Sequence, residues 1–506
     1  MSSKHVIGLD IGTTSAKAVI FYLDGTVLSE DEQFYPIESP YPSWSEQNPL
    51  QIESAAINAM KYAIQKANIS GNQVLSVGLS SAMHSLICVD EKWNPLSPCF
   101  TWADNRSVME ASKLKVSDLT KSLYYQTGTP IHPMSPLVKL IWMRENGYEA
   151  YKNATRFVSM KEFLTGRWFN VAAVDYSTAS ASGLFHIRDH LWSSEALDLA
   201  GIHSSQLSQP VEPTFLYQNL HPSVANEIGI LHTVPFAAGG SDGPLANLGT
   251  GAISPGETAI TIGTSGAIRQ MSRNPVEAKN QQAFCYAFSN DLWIVGGPTN
   301  NGGNVLQWVH EVLEEGDSKK YDSLLAAAEK IPPGSDGLLF LPFLHGERAP
   351  HWDANARGTY IGISANHQKG HLIRSSLEGV LFNLKTIHNA LTDVAITTSS
   401  IYASGGFARS DFWVQMLADI FGVNVYLPKS HQSSAWGAAW CSLVAINEAK
   451  DLESIKNYIP MKSMMQPIKR NNEIYEELYP IYENLFKILQ PTFHQLQNFT
   501  KKASKK

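Results

Sequence analysis

Cysteine is scarce in this 506-residue chain, which contains four cysteines and no Cys-x-x-Cys pair. Such scattered cysteines exclude a disulfide framework and a clustered zinc site, and they predict reduced thiols in a cytoplasmic protein. Long apolar runs are missing too, because no stretch has the length of a membrane span. The first carboxylate, Asp10, comes too early for a signal-peptide core to form before it. We therefore expect a cytoplasmic protein that does not contact a membrane.

An excess of charge of either sign is also missing. The sequence has 39 basic and 46 acidic side chains, for a net charge of −7. So weak a charge gives no case for a nucleic-acid partner, because proteins that bind nucleic acid carry dense basic surfaces. The length is enough for about two or three domains with substantial cores.

Three common site motifs are missing as well: the Gly-Lys-Ser/Thr of a P-loop, His-Glu-x-x-His, and Gly-x-Gly-x-x-Gly after a strand. One hydrolase-like pattern is present, since residues 239–243 fit Gly-x-Ser-x-Gly and follow a predicted strand. A glycine-rich turn and a short, glycine-interrupted stretch are predicted there, where a hydrolase needs a long helix. We therefore disfavour a nucleophilic role for Ser241.

The most informative stretch is residues 6–21. Its apolar run predicts a buried strand that ends near Asp10, and Gly12-Thr13-Thr14 predicts a small turn before a second strand. Amides and hydroxyls in such a turn can donate to phosphate oxygens, and the carboxylate beside them can hold Mg²⁺. The stretch therefore predicts a phosphate and magnesium site, with an ordinary polar hairpin tip as the alternative.

A similar pattern recurs in the second half of the chain. Residues 262–265 match residues 11–14, and strands are predicted on both sides of each turn. Thr261 stands where the first unit has Asp10. The repeat predicts a duplicated α/β fold, in which Gly263 and Thr264 face the first turn across a cleft. Chance similarity of two short turns is the alternative.

Further segments place suitable residues at predicted strand ends. Asp242 follows a predicted strand, and open α/β sheets bind ligands at that edge. Gly302 precedes a predicted helix whose N-terminus could bind an anion, and Gly405-Gly406 leave room for a flat ring such as adenine. If Asp10 holds the metal, Asp242 can accept the proton of an attacking hydroxyl. Together these parts predict phosphoryl transfer.

Two long patterns resemble the signatures of the FGGY carbohydrate kinases, a family of the actin-like ATPase superfamily. The first covers residues 134–146, and the second runs from Gly358 to Glu378. The resemblance implies an α/β fold of two actin-like (ribonuclease H-like) domains that flank an ATP and substrate cleft. We expect a carbohydrate-binding domain at residues 1–252, and a nucleotide-binding domain with terminal helices at residues 253–506.

The resemblance also implies an activity and a set of site residues. The activity is transfer of the γ-phosphoryl group of ATP, with Mg²⁺, to a terminal hydroxyl of an open-chain sugar or sugar acid. The implied roles are catalytic base for Asp242, metal carboxylate for Asp10, substrate contacts for Met83, His84, Trp102 and Asp242, and ATP contacts for Thr13, Thr14, Gly263, Thr264, Gly302, Gly405 and Gly406. The family pattern also allows a homodimer.

The resemblance leaves two acceptors open, a sugar acid and a pentulose, and one alternative lies outside the kinases. Residues 80–85, 102–107, 128–134 and 405–411 resemble the branch of the family that acts on a sugar acid. Pentulose kinases share the Met83-His84 pair, so a pentulose is an alternative acceptor, whereas glycerol kinases carry Arg-Glu there. Outside the kinases, an actin-like ATPase module would hydrolyse ATP without a sugar.

A sugar-acid carboxylate needs a cationic or N–H donor. The residue types that can supply one in the matching segments are His84, His132, Arg106 and Arg348. Each of them could equally be structural, and the Asp-x-Arg turn that contains Arg106 is a common form of structural ion pair. The sequence alone therefore leaves the donor open.

Overall fold

Two mixed β-sheets organise the computed structural model, which describes residues 4–313, 321–391 and 397–503. The strands of the first sheet are β1 (His5–Ile11), β2 (Ser15–Phe21), β3 (Val27–Phe34), β4 (Val74–Ser81), β5 (Leu216–Tyr217) and β6 (Phe236–Ser241). Those of the second are β7 (Glu257–Ile262), β8 (Gly266–Ser272), β9 (Phe284–Ser289), β10 (Leu292–Thr299), β11 (Ser400–Ser404), β12 (Asn424–Pro428) and β13 (Met461–Met465).

The two sheets repeat one topology. In the first, β1 pairs antiparallel with β2 and parallel with β4, β2 pairs with β3, and β4 pairs in parallel with β6. In the second, β7 pairs antiparallel with β8 and parallel with β11, β8 pairs with β10, and β11 pairs in parallel with β12. Each sheet then has an antiparallel edge strand, β5 beside β6 in the first and β13 beside β12 in the second. The second sheet has one further strand, β9, which pairs with β10. The predicted duplicated α/β fold is confirmed.

Helices cover these sheets and fill the space between them. They are α1 (Pro49–Ala67), α2 (Val108–Lys115), α3 (Leu119–Thr127), α4 (Pro136–Glu145), α5 (Glu149–Asn153), α6 (Met160–Phe169), α7 (Tyr176–Ala181), α8 (Ser194–Ala200), α9 (Pro222–Ile228), α10 (Asp242–Thr250), α11 (Gly303–Leu313), α12 (Asp322–Glu329), α13 (Lys369–Leu391), α14 (Asp411–Phe421), α15 (Ser433–Ala445) and α16 (Lys469–Ala503). In the described part of the chain, no helix has both the length and the apolar character to cross a membrane.

The remaining strands are short and pair outside the two main sheets. The pairs are Glu46–Gln47 with Cys99–Phe100, Ile87–Val89 with Arg156–Val158, Ala173–Asp175 with Gln209–Val211, Phe185–His186 with Leu191–Trp192, and Leu339–Leu341 with Thr359–Ile361. Most of them lie in the segments between β4 and β6, where the sequence gives little periodicity. All four cysteines are free and buried, as their scatter predicts.

The segment around Asp242 differs from the prediction of a glycine-rich turn. Gly239 lies inside β6, where a Cβ would come 1.9 Å from the carbonyl oxygen of Leu79 on the neighbouring strand. Helix α10 then begins directly at Asp242. Ser241 is fully buried and bonded to the Ser177 hydroxyl at 3.0 Å, so it is inaccessible as a nucleophile despite the strand–helix junction.

Helix α15 belongs to the second half of the sequence but packs on the first sheet. A Cβ on Gly8 of β1 would lie 2.0 Å from the carbonyl oxygen of Ala435, and one on Gly78 of β4 would lie 1.8 Å from that of Ala438. Only glycine permits so close an approach of backbone to backbone. The two halves therefore share a buried core, and the ends of β1 and β7 lie at one cleft between them. The domain division predicted after residue 252 stays a prediction.

Candidate active site

A cavity of about 320 Å³ lies between the two halves of the chain. The first half contributes the turn after β1, the loop after β4 and the start of α10, and the second half contributes the turn after β7 and part of β8. The predicted site residues in its lining are Thr13, Met83, His84, Trp102, Asp242, Gly263 and Thr264. The predicted residues outside this lining are Asp10, Thr14, Gly302, Gly405 and Gly406.

Asp10 lies at the end of β1, where it accepts a 2.6 Å hydrogen bond from the Ser80 hydroxyl. Burial raises the pKa of Asp10 to about 6, the Ser80 bond opposes this rise, and the negative charge of Asp242 adds to it. A nearby cation would stabilise both carboxylates in their ionised form. In the described part of the chain, no cluster of three His, Cys, Asp or Glu side chains could hold a metal. The buried carboxylates of Asp10 and Asp242 fit Mg²⁺, which keeps several waters and uses one or two carboxylates beside substrate phosphates.

The first turn is fixed by bonds from outside the hairpin. The indole Nε1 of Trp102 donates to the Thr13 hydroxyl at 2.9 Å, and the Gln47 amide donates to the Thr13 carbonyl at 2.7 Å. Thr14 is exposed, and its carbonyl accepts from the backbone N–H of Tyr35 at 3.1 Å. Trp102 therefore joins the predicted phosphate turn to the predicted substrate contacts.

Gly302 lies against the second turn rather than in the cavity lining. A Cβ at Gly302 would come 2.6 Å from the carbonyl oxygen of Ser265, and the N–H of Gly303 donates to the Gly263 carbonyl at 2.7 Å. Gly303 is also the first residue of α11. The start of that helix is thus joined to the predicted second phosphate turn.

Gly405 and Gly406 adjoin the end of β7. A Cβ at Gly405 would lie 2.4 Å from the carbonyl oxygen of Ile262, and Gly405 has a φ of 97°. A Cβ at Gly406 would meet no atom within 4 Å. The first glycine is therefore required by the fold, whereas the second presents open backbone next to the second turn.

Asp242 is the first residue of α10 and lines the cavity. The N–H of Gly243 donates to its Oδ1 at 2.8 Å. Burial raises the pKa of Asp242, and the positive charge of Arg269 opposes this rise. No ion pair joins Asp242 to Arg269 among the described residues, so one carboxylate oxygen is free to accept a proton from a substrate.

His84 is held in one neutral tautomer. Its Nδ1 lies 2.7 Å from the carbonyl oxygen of Ala181, so this nitrogen carries the proton and donates. Burial lowers the pKa of His84 to about 3, and the charge of Lys139 lowers it further. The remaining nitrogen, Nε2, can accept a hydrogen bond from a hydroxyl but cannot donate to a carboxylate.

The structure also separates the other three donors considered for a substrate carboxylate. The buried guanidinium of Arg106 forms a 2.7 Å ion pair with Asp104 and a second ion pair with Glu46, so it is structural. His132 has a pKa well below its usual value because of burial, and it lines a neighbouring cavity instead. Among these candidates Arg348 lines the site as a cation.

Arg269 lines the same cavity and was missed by the sequence analysis. It is the fourth residue of β8, the strand that follows the second turn. The available signal was its charge, because Arg269 is the one charged residue in the strand sequence GAIRQMS. A cation in a buried strand costs solvation free energy, and its position beside the predicted phosphate turn indicates a functional site.

Comparison with known proteins gives consistent results. Models described as the FGGY family of carbohydrate kinases, N-terminal and C-terminal domains, match residues 5–249 and 258–446. The chain is 40% identical over 506 residues to a gluconokinase of Bacillus subtilis, with 98% of each chain covered. A gluconate kinase structure from Lactobacillus acidophilus superposes with a TM-score of 0.94 at 31% identity, covering 98% of this chain and all of that one. A xylulose kinase structure from the same organism gives 0.94 and 31%, covering 97% and 100%.

Proposed function

Because the chain belongs to the FGGY family of carbohydrate kinases, we propose that it transfers the γ-phosphoryl group of ATP to the terminal hydroxyl of D-gluconate, forming 6-phospho-D-gluconate. The observation that carries the acceptor is the 40% identity to a gluconokinase over the whole chain. The cationic side of the cavity supports it, because gluconate is an anion.

Asp242 is the base in this proposal. Its free carboxylate oxygen accepts the proton of the substrate hydroxyl while the bond from that oxygen to the γ-phosphorus forms and the bond to the β-phosphate oxygen breaks. ADP leaves, and Asp242 later passes the proton to solvent. The transition state of phosphoryl transfer is loose, so the hydroxyl needs to be positioned more than it needs a strong base. The bond from the Gly243 N–H orients the carboxylate for this task.

The two turns bind the phosphates of ATP. The hydroxyls and amides of Thr13, Thr14 and Thr264 are the donors, and the glycines at 263 and 302 keep the backbone accessible. Mg²⁺ beside Asp10 would neutralise negative charge on the phosphate oxygens when bound. Gly406 offers an open surface on which the adenosine can lie, so the second half binds the nucleotide and the first half the sugar acid.

Substrate contacts come mainly from the first half. His84 Nε2 accepts from a sugar hydroxyl, while Met83 and Trp102 supply apolar surface against the carbon chain. Closure of the cleft over both substrates would exclude water from the γ-phosphoryl group. We place the reaction in the cytoplasm, where ATP is available, and the homodimer that the family pattern allows stays a prediction.

A coupled ADP-release assay tests the acceptor. The purified chain is supplied with Mg²⁺, ATP and one of D-gluconate, D-xylulose, D-ribulose, glycerol or D-glucitol. We expect the highest kcat/KM with gluconate and little ADP release without an acceptor. A preference for xylulose would instead support the pentulose alternative, since the xylulose kinase structure from L. acidophilus is as similar to this chain as the gluconate kinase structure. Release of ADP at one rate with and without any sugar would instead indicate an ATPase module.

A further inference from the structure

Two arginines of the second half face the cavity that contains Asp242. Arg269 reaches it from β8, and Arg348 reaches it from the loop after the short strand Leu339–Leu341. Burial lowers the pKa of Arg348 to about 10, the negative charge of Glu347 opposes this shift, and the positive charge of Arg269 adds to it. The two guanidinium groups are therefore close enough to repel each other.

Protein carboxylates offset these two charges only in part. The charge of Asp242 raises the pKa of Arg269 and that of Glu347 raises the pKa of Arg348, but burial has the larger, opposite effect on both. Glu347 is next to Arg348, but its oxygens accept bonds from the Thr299 hydroxyl at 2.6 Å, from the side chains of Asn301 and Asn383, and from backbone N–H groups. In the described ranges, no ion pair joins either arginine side chain to an acidic side chain.

Each guanidinium also has an unused donor. Nη1 of Arg269 and Nε of Arg348 are buried nitrogens with no hydrogen-bond partner in the part of the chain that the structure describes. A buried N–H without a partner costs about 1–3 kcal/mol, and more when the group is charged. Such a cost is retained at sites where a ligand supplies the missing acceptor.

Both side chains are already held in position. A Cβ at Gly243 would lie 2.9 Å from Nε of Arg269, so this arginine packs against the start of α10. Arg348 donates from Nη2 to the Thr299 carbonyl at 2.9 Å, and its guanidinium lies 5.2 Å from the ring centre of Trp102. The two donors are thus preorganised on one side of the cavity.

We propose that Arg269 and Arg348 together bind the carboxylate of the substrate and so select a sugar acid over a neutral sugar. This inference rests on the proposed function, since it assigns the group that recognises the anionic end of gluconate. A carboxylate matches the planar fork of a guanidinium and can accept from two of them at once. In this arrangement His84 accepts a hydrogen bond from a substrate hydroxyl, and Asp242 accepts the proton of the terminal hydroxyl of the substrate.

The γ-phosphate of ATP is the other anion that could use this pair, and binding measurements separate the two. We would measure the Kd of D-gluconate, of its neutral analogue D-glucitol, and of ATP by titration calorimetry for the wild type, Arg269→Gln and Arg348→Gln. Each variant should bind gluconate about 10- to 100-fold more weakly, the effect of one charge-assisted hydrogen bond, with ATP and glucitol binding within twofold of the wild type. Lysine variants at both positions should recover part of the gluconate affinity.

Arg273 offers a matched control, because it lies just beyond the end of β8 and pairs with Asp291 at 2.8 Å on the surface. Arg273→Gln should leave all three affinities unchanged. Unchanged gluconate affinity in both cavity variants, or a loss of ATP affinity instead, overturns the carboxylate assignment while gluconate kinase activity of the wild type stands. A wild type that prefers a neutral sugar overturns the proposed function itself. Thermal unfolding of each variant identifies any loss that is due to misfolding.

Discussion

The turn after β1 and the turn after β7 begin alike and end differently. In the first, β1 and β2 pair up to Ile11 and Ala16, and in the second, β7 and β8 pair up to Ile262 and Gly266. The second turn is therefore one residue shorter. Both close with a bond from the glycine N–H to a serine carbonyl, at 2.9 Å in each case.

The residues near the ends of β1 and β7, Asp10 and Thr261, make the same kind of hydrogen bond, but only Asp10 is charged. Asp10 is paired in register with Ser80 of β4 and accepts a hydrogen bond from its hydroxyl. Thr261 is paired in register with Ser404 of β11, and their two hydroxyls are hydrogen-bonded at 3.0 Å. The duplicated frame thus preserves a bond between neighbouring strand ends. Only the first copy carries an anion at the end of the strand before the turn. Both following strands carry a cation, but Lys17 on β2 pairs with Glu32 at 3.2 Å, whereas Arg269 on β8 lines the cavity. In the proposed function, this difference divides the cleft into a metal side and an anion-binding side.

The largest effect should follow from removing the carboxylate that faces Arg269. Asp242→Ala should lower kcat by at least about 100-fold, the lower end for a lost general base, because no other described acidic side chain lines the cavity. ATP binding should persist, which calorimetry would check. Full activity in this variant would remove Asp242 from the mechanism.

The two strand-end residues give a direct test of the difference between the copies. Asp10→Asn keeps an acceptor for Ser80 but removes the charge, so the Mg²⁺ concentration for half-maximal activity should rise by about 10- to 100-fold. Thr261→Val removes the bond to Ser404 and should leave the Mg²⁺ requirement unchanged. Equal effects of the two substitutions in a Mg²⁺ titration would mean that the metal is not held on the first side.

The sequence predicted the frame of the site better than its specificity. Alternation and small turns report local structure, so both strand–turn–strand units were found. Helix α10 was missed because glycine and proline in its first turn conceal the pattern, although proline is tolerated there. Arg348 was one of four equal candidates, and only contacts distant in sequence, such as that between Arg106 and Glu46, remove its rivals.

His84 on the first side should affect stability in acid. Its pKa is lowered to about 3 by burial, against 6.5 in the unfolded chain, so the unfolded state binds more protons between these values. The contribution of neutral His84 to the free energy of unfolding is therefore fully present above pH 6.5 and decreases as pH falls, by about 2 kcal/mol at pH 5. His84→Asn tolerates the φ of 66° and does not titrate. Denaturant unfolding should show a smaller loss between pH 7 and pH 5 in the variant, and equal losses would contradict the buried neutral ring.

The smallest effects should come from the adjacent glycines that extend the second side. Gly405→Ala forces a φ of 97° on alanine and brings its Cβ to 2.4 Å from the Ile262 carbonyl oxygen, so it should cost at least about 1 kcal/mol of folding free energy. Gly406→Ala meets no atom and should fold normally. If adenosine lies on this open backbone, the new methyl should still weaken ATP binding by a few fold, because it would keep the ring from approaching the backbone as closely as glycine allows. Unchanged ATP affinity in Gly406→Ala would place the nucleotide ring elsewhere on the second half, and the comparison of the two turns would then concern the phosphates alone.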